Sequence, residues 1–262
     1  MNHFAKISWL LILFLFILFS VGYGGEGKIL FQEHFIGLEN WRPVFFPKIK
    51  QHSNYQIETQ GGISCLKAES WSSASALVYK KTFPVYEYPD IRWQWRVMNI
   101  YRKGDVRTRS GDDYPLRVYI LFQYDPAKAG VMDRVKYGIA KRLYGEYPPH
   151  SALNYIWANK PEERGLIVTN PYSSETKMIA LQGGGRNAGT WQEERIHILD
   201  DYRRAFGSDP PSVGTIGIMN DSDNTKESSV SYIRFFEVFS GGKQRPERKQ
   251  SSSCIRRLYG KL

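Results

Sequence analysis

Residues 90–100 read DIRWQWRVMNI, and the alternation in this stretch decides the fold class. Ile91, Trp93, Trp95 and Val97 point one way; Arg92, Gln94 and Arg96 point the other. A period of two is the signature of a strand with one covered face. Working outward, short apolar runs recur between turn residues. They are KILFQEHF (28–35), GISCLKAES (62–70), SALVYKKTF (75–83) and LRVYILFQYD (116–125), then SALNYIWANK (151–160), KMIALQGG (177–184), ERIHILD (194–200), VGTIGIMN (213–220) and VSYIRFFEVF (230–239). Roughly nine or ten strands with polar loops predict two packed sheets. The expected fold is all-β, a jelly-roll-like sandwich of the concanavalin or carbohydrate-binding-module kind.

One inserted element breaks the pattern. Met132, Val135, Ile139 and Leu143 recur at spacings of three and four, an amphipathic helix with Arg134, Lys141 and Arg142 on its other face. Gly145 would cap it, and Pro148-Pro149 bars its continuation. The expectation is a helix laid over the sandwich end; a membrane-surface role is the alternative. A second short helix is expected to start at Asp200 or Asp201 and to end at Gly207.

The chain has 262 residues, 42% hydrophobic and 15% aromatic, enough for one large domain over residues 28–240. Lys6, the apolar run of residues 7–21, and Gly22 and Gly24 form a secretory signal pattern over residues 1–24. An uncleaved anchor is the rival reading, although the run is short for a span. The expected location is periplasmic or secreted. Two cysteines, Cys65 and Cys254, do not make a disulfide scaffold. The net charge of +10 sits mainly in residues 241–262, a basic, Ser- and Gly-rich tail carrying +6 and expected to be disordered. The signal holds +1, so residues 25–240 hold +3. That gives no nucleic-acid signature. Membrane contact is expected only through a retained N-terminal segment.

Several uncommon words occur in order: WQWRV, GDDYPLRVYILFQYD, ALNYIWANK, NPY, DDYRRAFG with PP close behind, and IGIMNDSDNT. Over residues 29–239 the chain resembles a family of bacterial exported proteins, the domain of unknown function numbered 3047. The resemblance supports the fold and implies no activity.

Three clusters are candidates for chemistry. Asp112 and Asp113 precede a strand that begins near Arg117. Adjacent side chains on an extended chain diverge, so the two acids are not an acid/base pair with each other. One could pair with Arg117, and the alternative for both is a turn. Asp221, Asp223 and Asn224 lie in DSDNT (221–225), whose alternating oxygens suit calcium, a polar ligand or a turn. Position 226 is Lys and 232 is Tyr, so the loop is no EF-hand. Asp221 and Asp223 are the metal candidates. No cofactor is required; calcium is the ion the loop admits. Asn154 lies on one face of the 151–160 strand, and Tyr155 and Trp157 on the other. An aromatic pair of this kind would serve as a sugar platform or as core.

No G-x-S-x-G, H-E-x-x-H, phosphate loop or zinc spacing is present, and nothing marks a nucleophile. The sequence therefore favours an exported protein that binds a carbohydrate or cell-envelope polymer. The alternatives are a polysaccharide hydrolase or lyase using a loop carboxylate pair, and a structural envelope protein.

Overall fold

The computed structural model describes residues 27–127, 129–144 and 147–241. The expected signal, Gly145 and, beyond Gly241, the basic tail lie outside the described residues. In chain order the strands are β1 (Lys28–Glu33), β2 (Trp41–Val44), β3 (Asn54–Gln60), β4 (Ile63–Trp71), β5 (Ala74–Tyr79), β6 (Phe83–Pro84), β7 (Asp90–Val97) and β8 (Arg117–Phe122). Helix α1 (Val131–Tyr144) follows, then β9 (Ser151–Ala158), β10 (Ile167–Asn170), β11 (Ser173–Gly183) and β12 (Gln192–His197). Helix α2 (Ile198–Phe206), β13 (Val213–Asp221) and β14 (Ser228–Ser240) complete the described elements.

These strands form a jelly-roll-like β-sandwich. One sheet runs β12-β7-β14-β4-β3, with β1 also paired to β14. The other runs β10-β11-β9-β8-β13-β5-β2, with β6 paired to β13. The β9–β11 pair is parallel and the other registered pairs are antiparallel. Residues 222–227 therefore form no hairpin: β13 belongs to one sheet and β14 to the other, and the acidic loop carries the chain across.

The alternation of residues 90–97 is realised as read. Trp93 and Trp95 are fully buried. They meet Tyr155 and Trp157 of the facing sheet, each pair with ring centroids 5.7 Å apart. Large rings at this spacing dominate the core's apolar burial. The long connection between β7 and β8 covers the outer face of the second sheet, where Val106 and Tyr114 pack with Ile156, Ala158 and Met178.

Both helices form, with corrections. Among the described side chains of α1, Met132 and Val135 are exposed, and Tyr137 is buried and stacked on Tyr124 at 3.8 Å between centroids. Helix α2 starts at Ile198, earlier than the acids suggest, because the His197 side chain accepts from the Asp200 amide. It ends as expected at Gly207, whose φ of 72° is the left-handed cap that glycine adopts without strain.

Candidate functional site

Pairing of β8 with β13 sets Arg117 opposite Met219, two residues from Asp221 at the strand end. The Arg117 side chain is buried, and burial of a charge demands partners. Its Nε donates to Asp221 Oδ1 at 2.8 Å, and its Nη2 donates to Asp221 Oδ2 and to the Asp112 carbonyl. Nη1 lies 3.4 Å from Asp112 Oδ1, and the guanidinium packs on the Tyr114 ring at 4.4 Å. Asp112 also accepts from Asn170 at 2.9 Å. Asp113 faces the acidic loop: its carboxylate accepts from the Asn224 amide at 3.3 Å and the Thr225 amide at 2.5 Å. The structure thus joins Asp112, Asp113, Arg117, Asp221, Asp223 and Asn224 into one cluster.

The cluster is crowded with acid. Burial pushes the Asp221 carboxyl up to about 8; Arg117 opposes this, and Asp113 and Asp112 add to it. Burial and then Asp113 raise Asp223 as well. Burial works against the Arg117 charge, but Asp221, Tyr119 and Asp112 outweigh it and hold the guanidinium above its usual value.

Asp113, Asp221 and Asp223 bring carboxylate oxygens within 4.8 Å of one another, a spacing that suits a cation. Their engagements do not. Both Asp221 oxygens are held by Arg117, and both Asp113 oxygens serve loop amides. Calcium takes six to eight oxygens. A second cation would have to share a buried carboxylate with a guanidinium. The fit to calcium is poor, and no chemistry is derived through it.

The remaining candidates lie elsewhere. Tyr155 and Trp157 are fully buried, so neither offers a platform to a polymer. The Tyr155 hydroxyl donates to Asp201 of α2 at 2.9 Å, and Trp157 Nε1 donates to the Gly184 carbonyl at 3.1 Å. Asn154 is buried on the opposite face of β9 with neither side-chain polar atom partnered. Alternation sorts residues by face but does not say which face is covered. Here both are, because the 98–116 connection lies over the outer one.

A groove absent from the sequence reading opens beside the acidic loop. Its volume is about 740 Å³, and its lining includes Gln51, His52, Asn54, Glu69, Trp71 and Asn99. Trp71 is the last residue of β4. In that strand Leu66, Ala68 and Ser70 are buried, whereas Lys67, Glu69 and Trp71 point outward, and the Trp71 side chain is 80% exposed. Phe45 lies 4.4 Å from the His52 ring and is itself exposed. Asn99 spans to β14, donating to the Ser228 carbonyl at 2.8 Å.

The acid cluster holds the turn that presents Trp71. Ser72 sits at φ 49°, a left-handed conformation uncommon for serine. Its amide donates to the Glu227 carbonyl at 3.0 Å, and Ser222 donates its amide to the Ser73 carbonyl at 2.9 Å. The path from Arg117 and Asp113 through residues 221–227 thus ends on the backbone just after Trp71. The one signal in the sequence is a strand-ending tryptophan followed by small residues, Ser72 and Ser73, which leave its ring open.

A two-sheet sandwich with a polar, aromatic-rimmed surface groove is the class of protein these features define. The chain belongs to the family described as "Protein of unknown function (DUF3047)", whose model matches residues 39–236. It is 21% identical over 194 residues to one polypeptide of the Na(+)-translocating NADH-quinone reductase of Klebsiella pneumoniae, a match covering 68% of this chain and 44% of that relative. The chain thus spans under half the length of that protein. Among solved structures, it is similar to a protein of unknown function with a galectin-like fold from Bacillus subtilis, with TM-score 0.44, 13% identity, and 82% of this chain and 97% of that one covered. It is also similar to a family 11 carbohydrate-binding module from Clostridium thermocellum, with TM-score 0.39, 10% identity, and 83% and 97% covered. At these values no activity is carried across.

Proposed function

We propose that the protein is an exported binding protein for a polysaccharide of the cell envelope or its surroundings, and that the Trp71 groove is its binding site. The carrying observation is Trp71 itself. A tryptophan four-fifths exposed beside a polar groove supplies the flat apolar face that a sugar's C–H face needs. Asn54, Gln51, His52 and Glu69 supply the donors and acceptors that hydroxyls need. The groove's volume falls within the usual range for ligand sites.

Binding is favoured over hydrolysis. A glycosidase presents two carboxyl groups to a groove. Here Asp112, Asp113 and Asp221 are buried, and their oxygens are occupied by Arg117, Asn170 and loop amides. The acids serve the groove as positioning residues. A broad panel of neutral and acidic glycans, scored for binding and for product release, tests the reading. Saturable binding without product supports it. Product formation would replace it with an enzyme, and no binding to any glycan would remove it.

A further inference from the structure

The outer face of the six-stranded sheet carries four arginines on neighbouring strands. Two are neutralised: Arg92 pairs with Glu237 at 3.0 Å, and Arg195 with Asp90 at 3.4 Å. Arg96 and Arg234 have no carboxylate partner among the described residues. Arg96 donates to Gln60, and Arg234 donates to Gln94 at 3.3 Å. Both guanidiniums pack on the Trp191 ring, at 4.8 and 4.3 Å from its centroid, and Arg96 also packs on Tyr232 at 4.7 Å. The Nε atoms of Arg92, Arg96 and Arg234 are all buried without an acceptor, so what sets Arg96 and Arg234 apart is the missing carboxylate. Arg234 owes its place to a bulge in β14: register against β7 slips between Ile233 and Phe235. Bulges of this kind re-aim a side chain.

Two guanidiniums held against one indole, with amide oxygens but no carboxylate as partners, leave their charge for an oxyanion from outside. The planar fork of arginine matches an acid group through two parallel hydrogen bonds. We propose that Arg96, Arg234 and Trp191 form an anion-binding site for the acid groups of an acidic polysaccharide. The site lies on the same sheet face as Trp71. Tyr232 stands opposite both Arg96 and Lys67, and Lys67 is four residues from Trp71 along β4. At ~3.3 Å per residue that is about 13 Å along the strand, and two strand spacings of ~4.8 Å separate Arg96 from Lys67, so Trp71 and Arg96 lie roughly 16 Å apart, a span one polymer strand covers. This deepens the reading above and rests on it: Trp71 takes the ring of one residue, and the arginines take the charge of another.

The test compares oligogalacturonate with its carboxyl-reduced, neutral counterpart and with a sulfated oligosaccharide, on the full-length chain. The basic tail is identical in every protein compared, so differences between variants report the sheet face. The expected result is that wild type binds one or both charged probes at least about tenfold more tightly than the reduced one, as one charge-assisted bidentate contact allows. Arg96→Gln and Arg234→Gln should each remove most of that difference, and the lysine variants should restore only part of it. Which charged probe binds better identifies the acid group. Equal affinity for the charged and reduced probes in wild type, a comparison that needs no variant, would overturn the inference. If that shared affinity depended on Trp71, the groove would stand and only the anion site would fall. Glutamine variants that keep the full preference would also overturn it, by assigning the charge effect to the tail.

Discussion

Arg117 and Asp221 are joined across neighbouring strands by two guanidinium nitrogens, with Nε 2.8 Å from Oδ1, and both side chains are buried. The pair fixes the end of β13, from which the acidic loop departs to the other sheet. At about pH 9, above the raised Asp221 value, both groups are charged and removing one partner strands the other. Arg117→Ala should cost about 3–5 kcal/mol in urea unfolding, whereas a double change to apolar residues at 117 and 221 should recover part of the loss. A single variant within experimental error of wild type would contradict this account.

The Asp221 carboxyl supplies a pH dependence. Its folded value is raised by burial to about 8, above the ordinary 3.8. The native state therefore keeps a proton that the unfolded chain releases. That stabilisation is fully present below about pH 4 and is lost as pH rises through about 8. Asp221→Asn cannot titrate. Wild-type stability should therefore fall relative to the Asn variant between these limits, which parallel denaturant curves across pH would measure.

Asp113 holds the loop through the Asn224 and Thr225 amides. Asp113→Ala leaves two donors without their acceptor, at a cost of about 1–3 kcal/mol. Hydrogen exchange should accelerate at Asn224 and Thr225. It should also accelerate at Ser72, whose amide bonds to Glu227 in the same loop. Acceleration confined to residues 224 and 225 would break the proposed link between the acids and the Trp71 turn.

Calcium tests the same cluster from another side. A resident ion at about 100 times its dissociation constant would add ~2.7 kcal/mol. Because Arg117 and the loop amides already engage Asp221 and Asp113, the melting temperature should be the same in calcium and in EDTA. A clear rise with calcium would show that the carboxylates accept a second cation.

Much of the architecture was legible because it is periodic. Trp93 and Trp95 against Arg92 and Arg96 give a covered and an open face, and the structure keeps both. The acids of residues 112–113 and 221–224 were legible as a meeting place. Their role was not, because a buried Arg–Asp pair and a metal loop use the same residue types. Tyr155 and Trp157 have the composition of a platform, yet they face the sheet opposite, and a distant connection covers the outer face of their strand. Trp71 stayed hidden because its neighbours come from four separated segments: residues 51–54, Asn99, residues 228–230 and its own strand. No local pattern encodes that assembly.

The central claim is that Trp71, and not the buried Trp157, meets the ligand. Calorimetric titration of the best glycan from the panel should be run on wild type, Trp71→Ala and Trp157→Phe. The account predicts that Trp71→Ala lowers affinity at least about tenfold while keeping the wild-type melting temperature, since an exposed ring adds little to folding. Trp157→Phe should lower stability and leave affinity unchanged. Undiminished affinity in a folded Trp71→Ala protein would contradict the claim.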